Sequence, residues 1–460
     1  MGMSNSEQNT TPAVVQAKPV ESSAPVWYRR AVQITGLILT IFGVPVAINL
    51  FCIVPMLLFN GTGSSAATYG VVSLTFALLT VGAGLAAFIH ANNSLQNKPS
   101  KPLRLPSYPL LLMGGFFLLI SLGTIINEND TGSGLLLPPI LVACAILPPL
   151  WAVAWMIPQV RSPQVSEEVN TDQSSLSWRR GLMSFVGGAT VSVFIAIVLE
   201  ILLPVVVLSL VFNLADTLST NLSDLFRALS NENIAKALTN PSFIYIFVQI
   251  AIIAPLAEEL AKPLVTLPLL KKLNKQESFW VGALAGAGFA ALENIIYATS
   301  GFTIWAGILL VRALGGALHP LGSGLVAQGW RDVLRGEKDA GKNWLKRFGI
   351  AVAVHAVWNG GSLLVITLGG ARFFGELPPE IDLLGLSAAG TTLAFLVILG
   401  IAALWIGRAY GHDKSVLIVE GEESPETKFI PSDRAIALWA VACLIALVPA
   451  GIAGLKLWLR

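Results

Sequence analysis

The sequence predicts an all-α, polytopic membrane protein with about eleven transmembrane helices. Of its 460 residues, 54% are hydrophobic and only 12% are charged, whereas about a quarter of a soluble globular chain is charged. The mean hydropathy is +0.71, and eleven spans of ~20 residues each would use most of the apolar residues. A net charge of +2 with no basic domain gives no support to a nucleic-acid partner.

Apolar stretches long enough to cross a bilayer follow a polar N-terminal segment. Residues 1–25, rich in Ser, Gln, Thr and Pro, are predicted to form a disordered cytoplasmic tail. We divide the rest into five N-terminal spans within 26–212, an extracytoplasmic loop at 213–242, a core of four spans within 243–370 and two C-terminal spans within 371–460. The predicted spans are 31–57, 67–90, 108–126, 134–157, 182–212, 243–270, 279–298, 303–330, 348–369, 386–407 and 435–456.

The distribution of basic residues predicts the orientation. If the N-terminus is cytoplasmic, 22 of the 29 Lys and Arg residues fall in inner segments and 5 in outer ones. Basic residues accumulate on the cytoplasmic side of membrane proteins. We therefore expect a cytoplasmic N-terminus, with the loops at 271–278 and 331–347 also cytoplasmic.

Polar side chains are concentrated in four consecutive spans, the sixth to the ninth. A charge near the bilayer centre costs ~2.5–3.5 kcal/mol on insertion scales, so such residues are candidates for function. The residues are Glu258, Glu259 and Lys262 in the sixth span, Glu293 and Asn294 in the seventh, Arg312 and His319 in the eighth, and His355 and Asn359 in the ninth.

These residues are predicted to share one layer of the membrane. Counting ~1.5 Å per residue from the span boundaries places Glu258, Glu293 and His319 near mid-membrane. Residues four apart lie on one helix face, as His355 and Asn359 do. We expect one water-accessible cavity lined by Glu258, Glu259, Glu293, His319, His355 and Asn359.

A structural interpretation exists for each residue taken alone. A Glu–Lys pair one turn apart can neutralise itself, and a lone intramembrane His or Asn often forms an interhelical hydrogen bond. Glu200 and Arg312 are interpreted as structural ion-pair or boundary residues. Three glutamates, two histidines and an asparagine on successive helices nevertheless favour hydrolytic chemistry over structural hydrogen bonding.

Two mechanisms fit this set. In the first, a carboxylate deprotonates water while His355 and Asn359 stabilise the oxyanion. In the second, the protein binds Zn²⁺, which activates water, and the ligands are Glu258, Glu293, His319 and His355. Lys262 would keep a carboxylate ionised, and Asn294 is a supporting residue. The zinc motif HExxH is absent, and the residues alone leave both mechanisms open.

Three motifs resemble those of the PrsW family of intramembrane proteases, within the superfamily of CAAX prenyl endopeptidases and bacteriocin-processing enzymes. EELAK, beginning at Glu258, matches the family's EExxK. FAALEN, beginning at Phe289, matches FxxxE, and HAVWN, beginning at His355, is similar to HxxxN. The resemblance covers about residues 243–370.

The resemblance implies an intramembrane endopeptidase in a prokaryotic cytoplasmic membrane. Its implied partners are the lipid bilayer and a membrane-anchored substrate protein, such as an anti-sigma factor. The CAAX branch carries a His where this chain has Glu293, and His319 is the residue we expect to supply that imidazole. A secondary transporter with a charged site at mid-membrane and a non-catalytic membrane scaffold are the alternatives.

Overall fold

The computed structural model describes residues 25–60, 63–100, 103, 105–106, 109–127, 130–157, 176–211, 241–374 and 379–411. Within these residues the fold is helical without strands, and nine helices are long and apolar enough to span a membrane, or ten if one bent pair is counted as a span. The predicted all-α polytopic class is confirmed. The predicted tail, nearly all of the loop 213–242 and the eleventh span, 435–456, lie outside the described residues.

The described residues up to 211 form seven α-helices, two pairs of which are joined by short π-helical segments. The π-helices are Leu78–Gly82 and Gly188–Ser192. The α-helices are α1 (Val26–Asn60), α2 (Gly63–Ala77), α3 (Ala83–Leu95), α4 (Pro109–Asn127), α5 (Asp130–Met156), α6 (Trp178–Gly187) and α7 (Val193–Val211).

The described residues from 241 onwards form eight α-helices. Another π-helix, Gln249–Ile253, joins the first two. The α-helices are α8 (Pro241–Val248), α9 (Ala254–Ala261), α10 (Leu267–Leu270), α11 (Lys275–Ser300), α12 (Trp305–Leu314), α13 (Leu318–Arg335), α14 (Ala340–Phe374) and α15 (Pro379–Gly411).

The peripheral helices expose apolar side chains in the manner of an integral membrane protein. Phe42 on α1 and Leu111 on α4 are 71% and 73% exposed. By contrast, the most apolar stretch of α11 is 94% buried. Exposing so much apolar surface costs free energy in water but not in lipid. The helix α11 therefore lies at the centre, and α1 and α4 face the lipid.

The predicted continuous span 303–330 is wrong in one respect, because α12 and α13 meet at a bend of 44°. Gly315 and Gly316, at the bend, have low helix propensity. Tight turn bonds replace the regular helix there, with the Leu318 N–H donating to the Gly315 carbonyl over 2.9 Å. The break places His319 in the first turn of α13.

Close packing brings this turn against the central helix. A Cβ atom built on Gly286 of α11 would lie 2.7 Å from the carbonyl carbon of His319. Only glycine permits that backbone approach, as is common between membrane helices. The small residues of α11 thus determine how near His319 comes to the residues of the sixth span.

Candidate active site

The helix α9 supplies two adjacent carboxylates and the cation that pairs with both. Lys262 is completely buried, and its Nζ lies 2.8 Å from Glu258 Oε2 and 2.8 Å from Glu259 Oε1. The three- and four-residue spacings put all three groups on one side of the helix. Ser192 Oγ donates to the Lys262 carbonyl over 3.0 Å, which holds the C-terminal end of α9 against the preceding span.

The helix α14 brings His355 to the same carboxylates. Its Nδ1 lies 2.9 Å from Glu259 Oε1, and its Nε2 lies 3.8 Å from Glu258 Oε2. An ionised Glu259 accepts a hydrogen bond from Nδ1–H, so the lone pair of Nε2 faces Glu258. Gly322 makes room for this arrangement, because a Cβ there would lie 2.5 Å from Glu259 Oε2.

The turn that begins α13 brings His319 to the same Glu258 carboxylate, with its ring centroid 4.9 Å from that of His355. Its Nδ1 lies 3.9 Å from Glu258 Oε2, and its Nε2 lies 3.3 Å from Glu293 Oε2. The Phe289 ring stacks on the imidazole with centroids 6.0 Å apart and also lies 4.5 Å from Lys262 Nζ. The four-residue spacing of Phe289 and Glu293 thus places two supports of His319 on one face of α11.

Arg312 belongs to this cluster and forms an ion pair with Glu293 there, which is one of the two roles interpreted from its sequence position. Its Nη2 donates to Glu293 Oε2 over 2.6 Å, and its Nε donates to Asn294 Oδ1. The same Nη2 is 3.5 Å from His319 Nε2, but its shorter contact with Glu293 leaves Nε2 free to donate to that carboxylate. The sequence signal for this pair was an arginine and a glutamate in neighbouring membrane spans.

Two other intramembrane polar residues lie apart from the cluster. Asn359 Nδ2 donates to the Ile250 carbonyl over 3.0 Å, within the π-helix where the regular backbone bonding is altered. The side-chain amide of Asn359 therefore donates to a backbone carbonyl. Its role in stabilising the oxyanion stays a prediction. The Glu200 carbonyl accepts from Gln249 Nε2 over 3.2 Å, which ties α7 to the same π-helix.

The cluster carries an excess of negative charge when both imidazoles are neutral. Three carboxylates, those of Glu258, Glu259 and Glu293, face the two cations Lys262 and Arg312. All five side chains are buried or nearly so, and an uncompensated charge is costly away from water. A bound proton or a bound cation would remove the imbalance.

The free donor atoms fit a divalent metal ion. Within the described residues, Glu258, His319 and His355 each offer one ligand atom, and the three atoms lie within 4.8 Å of one another. His319 Nδ1 and His355 Nε2 are buried and have no hydrogen-bond partner there. Zinc bonds of ~2.0–2.1 Å in a tetrahedron separate ligands by ~3.4 Å. The two histidine–Glu258 distances of 3.8 and 3.9 Å would need to shorten by about 0.5 Å, and the widest separation by more than about 1 Å, when a metal binds.

The other imidazole nitrogens strengthen this fit. His355 Nδ1 faces Glu259, and His319 Nε2 faces Glu293. Histidines that bind metals usually donate their second N–H to a carboxylate or carbonyl, which selects the tautomer and orients the ring. Glu293, predicted as a metal ligand, instead lies on the far side of His319 from the other two ligands.

A buried carboxylate–histidine cluster inside a helical membrane protein suits the chemistry of a membrane-embedded hydrolase. The comparison with known families agrees, since residues 177–378 match the model of the PrsW family intramembrane metalloprotease. The match runs from α6 to α14 and contains every residue of the cluster. This match confirms the resemblance predicted from residues 243–370 and extends it to the preceding span. The chain is a membrane protease. Comparisons with curated proteins and with solved structures found no match.

Proposed function

We propose that this protein is a metal-dependent intramembrane endopeptidase whose metal ligands are Glu258, His319 and His355. The carrying observation is that two unpartnered imidazole nitrogens and one carboxylate oxygen converge within 4.8 Å. A divalent ion such as Zn²⁺ would supply Lewis acidity, making water a nucleophile at neutral pH and polarising the scissile carbonyl.

The surrounding residues have distinct roles in this proposal. Glu259 and Glu293 accept N–H donors from His355 and His319, so each imidazole presents its lone pair to the centre. Lys262 balances the adjacent carboxylates of Glu258 and Glu259. Their attraction is strong because the three side chains are buried, and this compensation keeps the carboxylates available as acceptors and ligands.

The proposed substrate is a membrane-anchored protein, cut in or beside its anchoring segment. The centre is buried between helices that face lipid, so a membrane-embedded polypeptide is the substrate that can reach it laterally. An anti-sigma factor in a prokaryotic cytoplasmic membrane is the specific candidate, and it rests on the family resemblance alone.

Purified protein incubated with membrane-anchored peptides tests the activity. We expect cut products that disappear with a chelator and return with Zn²⁺. Cleavage insensitive to chelation, with no metal found in the active protein by elemental analysis, would leave the metal-free mechanism with Glu258 as base. Full cleavage by the Glu258→Gln/Glu259→Gln double variant would refute a protease mechanism at this site, and uptake driven by an ion gradient without cleavage would indicate a transporter.

A further inference from the structure

Arg312 lies in the last turn of α12, just before the bend that separates α12 from α13. Two adjacent residues of α11 bind its guanidinium, since Nη2 donates to Glu293 Oε2 over 2.6 Å and Nε donates to Asn294 Oδ1. Asn294 is itself fixed, because its Nδ2 donates to the Ala145 carbonyl of α5 over 2.9 Å. A planar guanidinium can bind two acceptors in this fixed geometry, which a lysine ammonium does not match. Arg312 thus ties the end of α12 to α11 and α5.

One carboxylate oxygen joins the two sides of the bend. Glu293 Oε2 accepts from Arg312 Nη2 over 2.6 Å and also lies 3.3 Å from His319 Nε2. Arg312 precedes the bend and His319 follows it. Because the helix is interrupted between them, contacts of both sides with α11 determine how these two side chains meet. The position of the Glu293 carboxylate therefore depends on Arg312, and the orientation of the His319 ring depends on that carboxylate.

Tyr297 covers this ion pair on its exposed side. It follows Glu293 by four residues, so both side chains lie on one face of α11. The Tyr297 ring lies 4.6 Å from Arg312 Cζ, in a cation–π contact. Tyr297 is 43% exposed, whereas the side chains of Arg312 and Glu293 are only 14% and 12% exposed. The tyrosine ring therefore lies between the guanidinium and the surroundings of the protein.

We propose that Arg312 is a positioning residue for the metal centre and that Tyr297 holds it in place. Arg312 fixes the Glu293 carboxylate, which accepts the Nε2–H of His319, so the lone pair of Nδ1 points at Glu258 and the proposed metal site. Metal binding at this centre rests on the proposed function. The tautomer of His319 can be measured without any metal.

The first measurement is that tautomer, in the metal-free full chain in lipid bilayers. The chain has four histidines, so nitrogen NMR of protein with isotope-labelled histidine gives few signals, and His319→Gln identifies the signal of His319. We expect the unaltered protein to carry the proton on Nε2. Arg312→Lys keeps the charge but loses the planar fork, so it should show a mixture of the two tautomers.

The matched control is Arg408→Lys. Arg408 also lies against an aromatic ring, 4.8 Å from that of Trp155, and donates to the Trp155 carbonyl over 3.1 Å. It should leave the His319 signal as in the unaltered protein. An unchanged tautomer in Arg312→Lys, or the same change in both variants, would overturn the positioning role.

The second measurement is the affinity for Co²⁺, whose visible absorption also reports the geometry of its ligands. We expect Arg312→Lys to bind Co²⁺ about tenfold more weakly, at the lower end of the cost of disturbing a partner of a metal-binding histidine, and with an altered spectrum. In a Glu293→Gln background the same change should cost less than about twofold, because Arg312 acts through that carboxylate. Additive losses would contradict this.

The role of Tyr297 has its own pair of variants. Tyr297→Leu should weaken Co²⁺ binding about threefold, since it removes the ring from the guanidinium. Tyr297→Phe keeps the ring and should bind as the unaltered protein does, so equal affinities of the two variants would refute this role. If Arg312→Lys does not fold, this pair decides the inference. If the unaltered protein binds no metal, the proposed function fails, and the tautomer of His319 alone decides whether Arg312 positions it.

Discussion

Replacing Glu259 by glutamine tests whether Glu259 orients the His355 imidazole or binds the metal itself. The change preserves side-chain shape but removes the negative charge that faces His355 Nδ1 at 2.9 Å and Lys262 Nζ at 2.8 Å. An amide oxygen can still accept from Nδ1, so the ring should keep its place. Lys262 retains its contact with Glu258. The lost contribution is mainly the polarisation of His355.

The expected magnitude follows from this geometry. Removing a carboxylate that supports a metal-binding histidine typically costs 10–100-fold in metal affinity or activity, or about 1.4–2.7 kcal/mol. Glu258→Gln should cost more, because it weakens a ligand itself. Glu200→Gln is the matched control for the loss of charge alone, since this half-buried glutamate in α7 acts on Glu258 and Lys262 through its charge and has no described hydrogen bond or ion pair with them.

The assay combines metal content with the cleavage rate. Each purified variant is equilibrated against graded Zn²⁺, and bound metal is measured by elemental analysis alongside cleavage of a membrane-anchored peptide. We expect Glu259→Gln to need 10–100-fold more Zn²⁺ for half-saturation, with Glu200→Gln close to the unaltered protein. The reasoning fails if Glu259→Gln binds Zn²⁺ normally, or if both variants lose affinity equally.

Three further changes test the packing, charge balance and topology. Gly322→Ala should lower the cleavage rate ~10²-fold, because the added Cβ displaces the Glu259 carboxylate. Gly114→Ala is the control and should not change the rate, since Gly114 has open space around it. Equal effects of the two changes would contradict this reasoning. Lys262→Met should destabilise the protein by ~3–5 kcal/mol, since it leaves two buried carboxylates without their cation; an unchanged thermal unfolding curve would count against it. A cysteine replacing Lys342 should resist impermeant reagents added outside intact cells, and labelling from outside would reverse the topology.

The membrane class and the composition of the site were predictable from local sequence properties. Hydropathy marks the spans because each apolar stretch must match the bilayer thickness. The cost of burying charge draws attention to Glu258, Glu293 and His319 without any knowledge of packing. Helical spacing also predicted that Phe289 and Glu293 lie on one helix face, and in the structure both side chains contact His319.

The roles within the site depended on how the helices pack. Periodicity relates residues of one helix but does not determine the rotation or distance between helices. The break at Gly315 turns His319 towards Glu258, and the contact made by Gly286 brings its backbone close. The same packing pairs Arg312 with Glu293 instead of leaving it at a boundary.

The sequence by itself determined that a helical membrane protein carries acids and imidazoles within its apolar helices, because hydropathy and the cost of buried charge act along the chain. Only the tertiary structure decided which atoms meet. Glu258 faces both histidines, Glu259 takes the far nitrogen of His355, and Asn359 bonds to the backbone. The physical reason is that hydrogen bonds and metal ligation depend on distances of a few tenths of an ångström between groups on different helices.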